Sequence, residues 1–258
     1  MTLPAGVTAV LPLTPAQKGM LFHVLEDPAA QGRYVAVLSC TIDGPLDPQR
    51  LKTAMQQAVT ARDSYRAGFV WEGMKQPAQA IRETITLPWE EDDWSGKSGD
   101  AAQTDLAALI RLEQSRRFDL GKPPLMAVRL IRRTETEHVL VWTVHHLISD
   151  GWSTSVVLDD IFRRYAGEAT PDRAPASFRD VLGWVRKNRQ DVADRDYWGT
   201  HLAGLDDPAT LPWPRWPDQA RARTTGRCCL ARTRPALFVK HRKNCASPRT
   251  RFCQRPGR

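Results

Sequence analysis

Along residues 14–213 the chain alternates short apolar runs of period two with longer apolar stripes of helical period, the two spacings by which strands and helices bury a face. Thr14-Pro15-Ala16-Gln17 offers a hydroxyl at an N-cap, proline at the first helical position and an amide three residues after the cap, which predicts a helix over 15–24. In 34–42, Tyr34, Ala36, Leu38, Cys40 and Ile42 alternate with Val35, Val37, Ser39 and Thr41, predicting a strand buried on both sides. Asp47-Pro48 repeats the cap-plus-proline signal before a stripe of Leu51, Met55 and Val59. A short strand is expected over 67–71, ended by Glu72-Gly73, and a helix over 101–116 with Leu106, Leu109, Ile110 and Leu112 on one side. Two β-rich runs, 125–132 and 139–145, flank the polar Thr134-Glu135-Thr136-Glu137 and predict a hairpin. Ser153 then caps a helix with Val156, Val157, Ile161, Phe162 and Tyr165 facing inward, and amphipathic helices follow over 177–188 and 191–202. Interleaved strands and helices place the chain in the α/β or α+β class.

From Pro212 the pattern stops, and residues 214–258 show no sustained period. Charge separates at the same place. That segment holds 13 of the 37 Lys and Arg but one acid, Asp218, so it carries +12 and the body −4 of the net +8. The basic balance therefore belongs to the tail, and argues for an anionic partner of the tail alone. Nucleic acid is disfavoured as that partner, because no regular aromatic–basic interleaving and no amphipathic period accompany the charge. Cys228, Cys229, Cys245 and Cys253 also lie there, near His241, but lack the paired C-x-x-C spacing of a zinc site, so no metal is expected. No apolar run approaches the roughly 20 residues of a membrane span, and no signal core opens the chain; the expected location is cytoplasmic, with no membrane partner.

Val144-His145-His146-Leu147-Ile148-Ser149-Asp150-Gly151-Trp152-Ser153 ends the second strand of the hairpin. Successive strand residues point to opposite faces, so at most one of the two histidines is placed for chemistry while the other orients the turn. Asp150-Gly151 adds a carboxylate and a residue free to take positive φ, which suits an abrupt turn into the next helix. An imidazole at a strand end, with a carboxylate four residues on and a helix N-terminus after it, is an arrangement for proton transfer. An ordinary turn between satisfied polar groups accounts for the same residues, and a metal reading through His145, His146 and Asp150 is weaker because adjacent histidines diverge.

His145-His146-x-x-x-Asp150-Gly151 resembles the HHxxxDG signature of the condensation domains of nonribosomal peptide synthetases, which share the chloramphenicol acetyltransferase-like fold. Leu13-Thr14-Pro15-Ala16-Gln17-Lys18-Gly19-Met20-Leu21-Phe22-His23 is similar to their opening motif, most of all in members that accept a donor ending in a D-residue. Phe69-Val70-Trp71-Glu72-Gly73, Leu87-Pro88-Trp89, Phe118-Asp119-Leu120, Ser177-Phe178-Arg179-Asp180, Tyr197-Trp198 and Leu202-Ala203-Gly204-Leu205 follow in the family's order, so the resemblance covers residues 10–213. It implies an N-terminal half-domain over 1–213, a mixed sheet flanked by helices, and an irregular basic tail over 214–258. It also implies amide formation between a donor acyl or peptidyl thioester and an acceptor aminoacyl thioester. Both substrates ride on the phosphopantetheine of partner peptidyl carrier proteins within a set of synthetase modules, and no cofactor is bound directly. By position, His146 orients the amine or takes its proton, the Gly151 N–H holds the oxyanion, and His145 and Asp150 are structural.

Two departures stand out. The family's RHxxLR segment reads Ala61-Arg62-Asp63-Ser64-Tyr65-Arg66 here, so the arginine expected to pair Asp150 falls on Ala61, and Arg62 or Arg66 is expected to take its place. The family's second half is absent and the tail resembles out-of-frame translation, which leaves activity of the chain alone open. A coenzyme A-dependent acyltransferase completed by another chain and a non-catalytic carrier-protein docking module stand as alternatives.

Overall fold

The computed structural model describes residues 3–27, 32–168, 176–188, 191–205, 226–232 and 237–243. It divides into two compact units, Met1–Ala174 with Thr224–Arg258, and Pro175–Arg223. In the larger unit nine strands and four helices follow the chain as β1 (Val7–Pro12), α1 (Pro15–Glu26), β2 (Val35–Asp43), α2 (Pro48–Thr60), β3 (Ala67–Val70), β4 (Ala78–Arg82), β5 (Trp89–Asp93), α3 (Gly99–Gln114), β6 (Met126–Arg132), β7 (Glu137–His145), α4 (Gly151–Ala166), β8 (Gly226–Arg232) and β9 (Leu237–Lys243), among the described residues. The smaller unit contains α5 (Phe178–Lys187) and α6 (Asp191–His201).

The four-stranded sheet that carries the site is ordered β2-β7-β6-β5, with β5 parallel to β6 and the other pairs antiparallel. It is the mixed sheet that the resemblance implies. A second antiparallel sheet runs β1-β4-β3. Every residue of β7 after Glu137 is buried, since the strand has neighbours on both edges and cover on both faces. On one face Val139 and Val141, with Ile131 of β6, pack against Leu106 and Leu109 of α3. Thr143, two residues further along the same face, donates to Glu113 of α3 at 2.8 Å. On the other, Trp142 is wholly buried and stacks on Tyr65 at 6.1 Å between ring centroids. His145 therefore ends the row that faces α3.

The predicted capping box is present at α1: Thr14 Oγ1 accepts from the Gln17 N–H at 3.1 Å, and Gln17 Oε1 accepts from the Thr14 N–H at 3.0 Å. Leu51, Met55 and Val59 bury α2, which lies against α4. The helix over 101–116 begins earlier, at Gly99 behind a Ser98 cap, and turns Ala102, Ile110 and Glu113 inward while Leu112 stays exposed. In α4 the buried residues are Val157, Leu158, Asp160, Ile161 and Phe162. Val156, expected inside, is exposed, and Tyr165 is half-buried with its hydroxyl accepting from the Asp47 N–H at 2.9 Å.

Three strands within residues 1–213 have no counterpart among the expected elements. β1, β4 and β5 are short or polar, and β5, Trp-Glu-Glu-Asp-Asp, is held by charge across the ladder: Arg129 of β6 binds Glu90 and Asp92, and Arg132 binds Asp93 at 2.5 Å. The expectation of an irregular segment after 213 also needs revision, because β8 and β9 pair as an antiparallel hairpin inside it. The cysteines and His241 of the discounted zinc reading lie outside the described side chains. Among the described residues no helix is long and apolar enough to cross a membrane.

Candidate active site at the His145-His146 turn

The site begins where β7 leaves its ladder. His145 is the last β7 residue in register with β2, opposite Val35, and its N–H bonds the Leu125 carbonyl at 3.0 Å. One residue later the His146 N–H donates to the carbonyl of Tyr34 at 2.7 Å. Tyr34 holds φ at 57°, a left-handed conformation that costs a non-glycine residue about 1 kcal/mol. That cost is met where a carbonyl is needed to fix the second histidine.

The two imidazoles are held in opposite tautomers. His145 is buried, and its Nδ1 accepts the Leu147 N–H at 3.1 Å, which leaves the proton on Nε2. Burial, then the neighbouring His146, pushes its pKa down to about 4, so it is neutral near pH 7. His146 is half-buried, with Nδ1 at 3.0 Å from the Ser149 carbonyl oxygen. A carbonyl can only accept, so Nδ1 carries the proton and Nε2 presents a lone pair. One histidine braces the turn, and the Nε2 of the other has no hydrogen-bond partner among the described residues.

Asp150 is the N-cap of α4, the role the sequence had suggested for Ser153. Its Oδ1 accepts the Ser153 N–H at 2.7 Å, and the neighbouring Trp152 N–H also favours its charged form. The Ser153 bonds hold the Asp150 carboxyl below the usual carboxylate range. The Thr154 N–H goes to the Asp150 carbonyl at 2.9 Å. Of the first-turn amides this leaves Gly151, at the positive end of the helix dipole, without a partner in the turn. Gly151 does not adopt the positive φ anticipated for it, and a Cβ there would meet nothing within 4 Å. What the position supplies is a bare, approachable N–H.

The arginine expectation is corrected. Arg62 donates to Asp160 of α4 at 2.6 Å and to the Ala58 carbonyl at 2.6 Å, while Arg66 pairs with Asp63 at 2.6 Å and donates to the Arg82 carbonyl. Neither forms an ion pair with Asp150, whose charge is already met by helix amides. Arg62 still supports the motif at one remove. Asp160, which also accepts from Arg164 at 2.9 Å, ties α4 to the end of α2 and so fixes the helix whose first turn is the site.

Other supports were not singled out in the sequence. Gln17 donates from Nε2 to the Leu147 carbonyl at 2.9 Å, and Gln79 Nε2 reaches the Pro12 carbonyl at 2.9 Å beside it; both glutamines are buried. The opening motif thus holds the histidine turn directly, through a residue legible only as half of a capping box. Ser149 Oγ meets the Tyr65 hydroxyl at 2.8 Å and Thr154 Oγ1 at 3.1 Å, and burial raises the Tyr65 pKa, so the phenol stays neutral.

The family model described as "Condensation domain" matches residues 7–233. This chain belongs to the condensation-domain family. The match passes residue 213, where the recognisable motifs end, and takes in β8. A linear gramicidin synthase from Brevibacillus parabrevis is 32% identical over 218 residues, and chondramide synthase from Chondromyces crocatus 30% identical over 249 residues. The matched segments cover 83% and 80% of this chain but 3% and 6% of those synthases. The starter condensation domain of a rhizomide synthetase shares the fold with a TM-score of 0.69 at 19% identity, covering 79% of this chain and 50% of that one. The first condensation domain of the calcium-dependent antibiotic synthetase, solved with a substrate analogue, gives 0.64 at 22% identity, with 78% and 50% covered. The chain thus spans about half the length of these solved condensation domains.

Proposed function

We propose that this condensation-family chain carries the proton-transfer half of an amide-forming acyltransferase. The donor is an acyl or peptidyl thioester and the acceptor an aminoacyl thioester, each on the phosphopantetheine arm of a peptidyl carrier protein within a synthetase assembly. The observation that carries the reading is the tautomer of His146: with Nδ1–H spent on the Ser149 carbonyl, Nε2 can accept a proton from an attacking amine.

The amine nitrogen attacks the thioester carbonyl carbon, and the carbonyl electrons move onto oxygen. The Gly151 N–H, at the positive end of α4, is the donor suited to that oxyanion. Nε2 takes the proton released as the C–N bond forms. Collapse of the intermediate breaks the C–S bond, and the same proton passes to the departing thiolate, so no proton is gained or lost overall. His145, neutral and hydrogen-bonded to the Leu147 N–H, holds the loop against the sheet, and Asp150 fixes the first turn of α4. Placing the two thioesters in line contributes to the rate independently of any base.

The test supplies donor and acceptor aminoacyl groups on separate carrier proteins, with the chain alone and with the second half of a condensation domain added as a separate polypeptide. An amide product on the acceptor carrier, seen by intact-protein mass spectrometry and dependent on both loaded arms, supports the reading. Product from coenzyme A thioesters alone would move it to the coenzyme A-dependent class. Carrier binding with no product in either format would leave a docking module.

A further inference from the structure

The sheet face toward α3 ends in a cavity of about 280 Å³. His145 lines it and His146 does not. Its walls include Leu25 of α1, Val35 of β2, Trp71 after β3 and Phe118 after α3, and Phe118 meets the His145 ring edge-on at 6.3 Å. Arg33, Arg116 and Arg117 also line it, against one acid, Asp119. The surroundings of these groups are built. Arg33 is anchored to the His23 carbonyl at 2.9 Å and to Asp27 at 3.1 Å, and Arg116 is held by Glu113 through Nε and Nη2 at 2.6 and 2.7 Å. Each guanidinium has five N–H groups, so two bonds leave others to face a ligand. Gly32, beside Arg33, holds φ at 64°, and a Cβ there would lie 1.8 Å from the Gln114 carbonyl oxygen. The wall is therefore pinned against the end of α3 at a position only glycine can occupy.

The second observation is the histidine itself. His145 is 3% exposed, and because Nδ1 accepts from Leu147, the Nε2–H is its remaining donor. That Nε2 has no acceptor among the described residues. An N–H that opens on the cavity without a partner is free to donate to a ligand acceptor. The donor, the cationic lining and the aromatic walls together specify an oxygen acceptor with negative charge on an apolar body. At about 30 Å³ per displaced water the cavity suits a molecule of about ten heavy atoms.

We infer that this cavity is a binding site for a small aryl- or alkyl-carboxylate, distinct from the reacting site at His146, with the carboxylate received by His145 Nε2–H and the arginine lining. Through the His145–Leu147 hydrogen bond such a ligand touches the turn that carries His146.

The probe is 3-phenylpropionate, titrated calorimetrically into the full chain at pH 7 while the His145 imidazole nitrogens are followed by NMR, with 3-phenylpropylamine as the charge-reversed control. The acid is expected to bind with a Kd below about 1 mM and to shift the His145 Nε2 resonance, and the amine to bind at least about tenfold more weakly. Leu25→Trp, at a partly exposed position that a larger ring would crowd, is expected to weaken the acid at least about tenfold with an unchanged Tm. If Leu25→Trp lowers the Tm, Trp71→Ala gives the same test by removing an aromatic wall. No heat and no resonance shift up to about 10 mM acid, equal binding of acid and amine, or binding that survives these variants would each overturn the site.

Discussion

His145 and His146 are adjacent, and their hydrogen-bond partners assign them opposite protons: Leu147 offers a donor to one Nδ1, Ser149 a carbonyl to the other. Nitrogen NMR should therefore find His145 protonated at Nε2 and His146 at Nδ1; the same tautomer at both would break the division of roles. The buried His145 also makes stability depend on pH. Its folded pKa, about 4, lies below the ordinary 6.5, so the unfolded chain binds the proton first as pH falls. The stability is fully present above about pH 6.5 and is lost progressively down to about pH 4, a loss of about 3 kcal/mol from this group. Urea unfolding at pH 7 and pH 4 should show that slope, and His145→Asn should flatten it. Asp150 acts through its carboxylate as a helix cap, not as an arginine's partner. Asp150→Ala should cost about 1 kcal/mol and Asp150→Asn less, since an amide oxygen still accepts the Ser153 N–H.

Between elements, the strongest tie to the site is electrostatic. Asp160 of α4 is buried and shared by Arg62 and Arg164, so Arg62→Ala leaves a buried carboxylate with one partner and should cost about 2 kcal/mol or more in chemical unfolding. A change within about 0.5 kcal/mol would show that Arg164 suffices. Periodicity made α1, α2, the β6–β7 hairpin and α4 legible before any coordinates, because each buries a stripe or row that its own spacing declares. β5 was hidden because three of its four acids are neutralised by Arg129 and Arg132, distant residues that no local window joins to it. At the turn, His145, His146, Asp150 and Gly151 were readable as a motif, whereas the cap at Asp150 in place of Ser153 depends on where the helix starts, by two or three residues. Gln17 and Tyr65 could not be read as supports, since only the fold brings them to Leu147 and Ser149.

For the molecule as a whole, the family match, the mixed sheet and the turn converge on one chemical arrangement: a basic imidazole nitrogen followed, within the same turn, by an unspent helix-terminal N–H. The fold contributes by holding that turn from several sides, with Gln17 of α1, Tyr34 before β2, Tyr65 before β3 and Asp160 of α4 all fixed to it or to the helix it starts. The measurement that reaches the central claim most directly is the single-turnover rate of amide formation between carrier-bound donor and acceptor, compared for the wild-type sequence and His146→Ala in the complemented two-half assay. The account predicts a loss of about 10²- to 10⁴-fold in that rate with carrier binding unchanged. Wild-type amide formation by His146→Ala would contradict it.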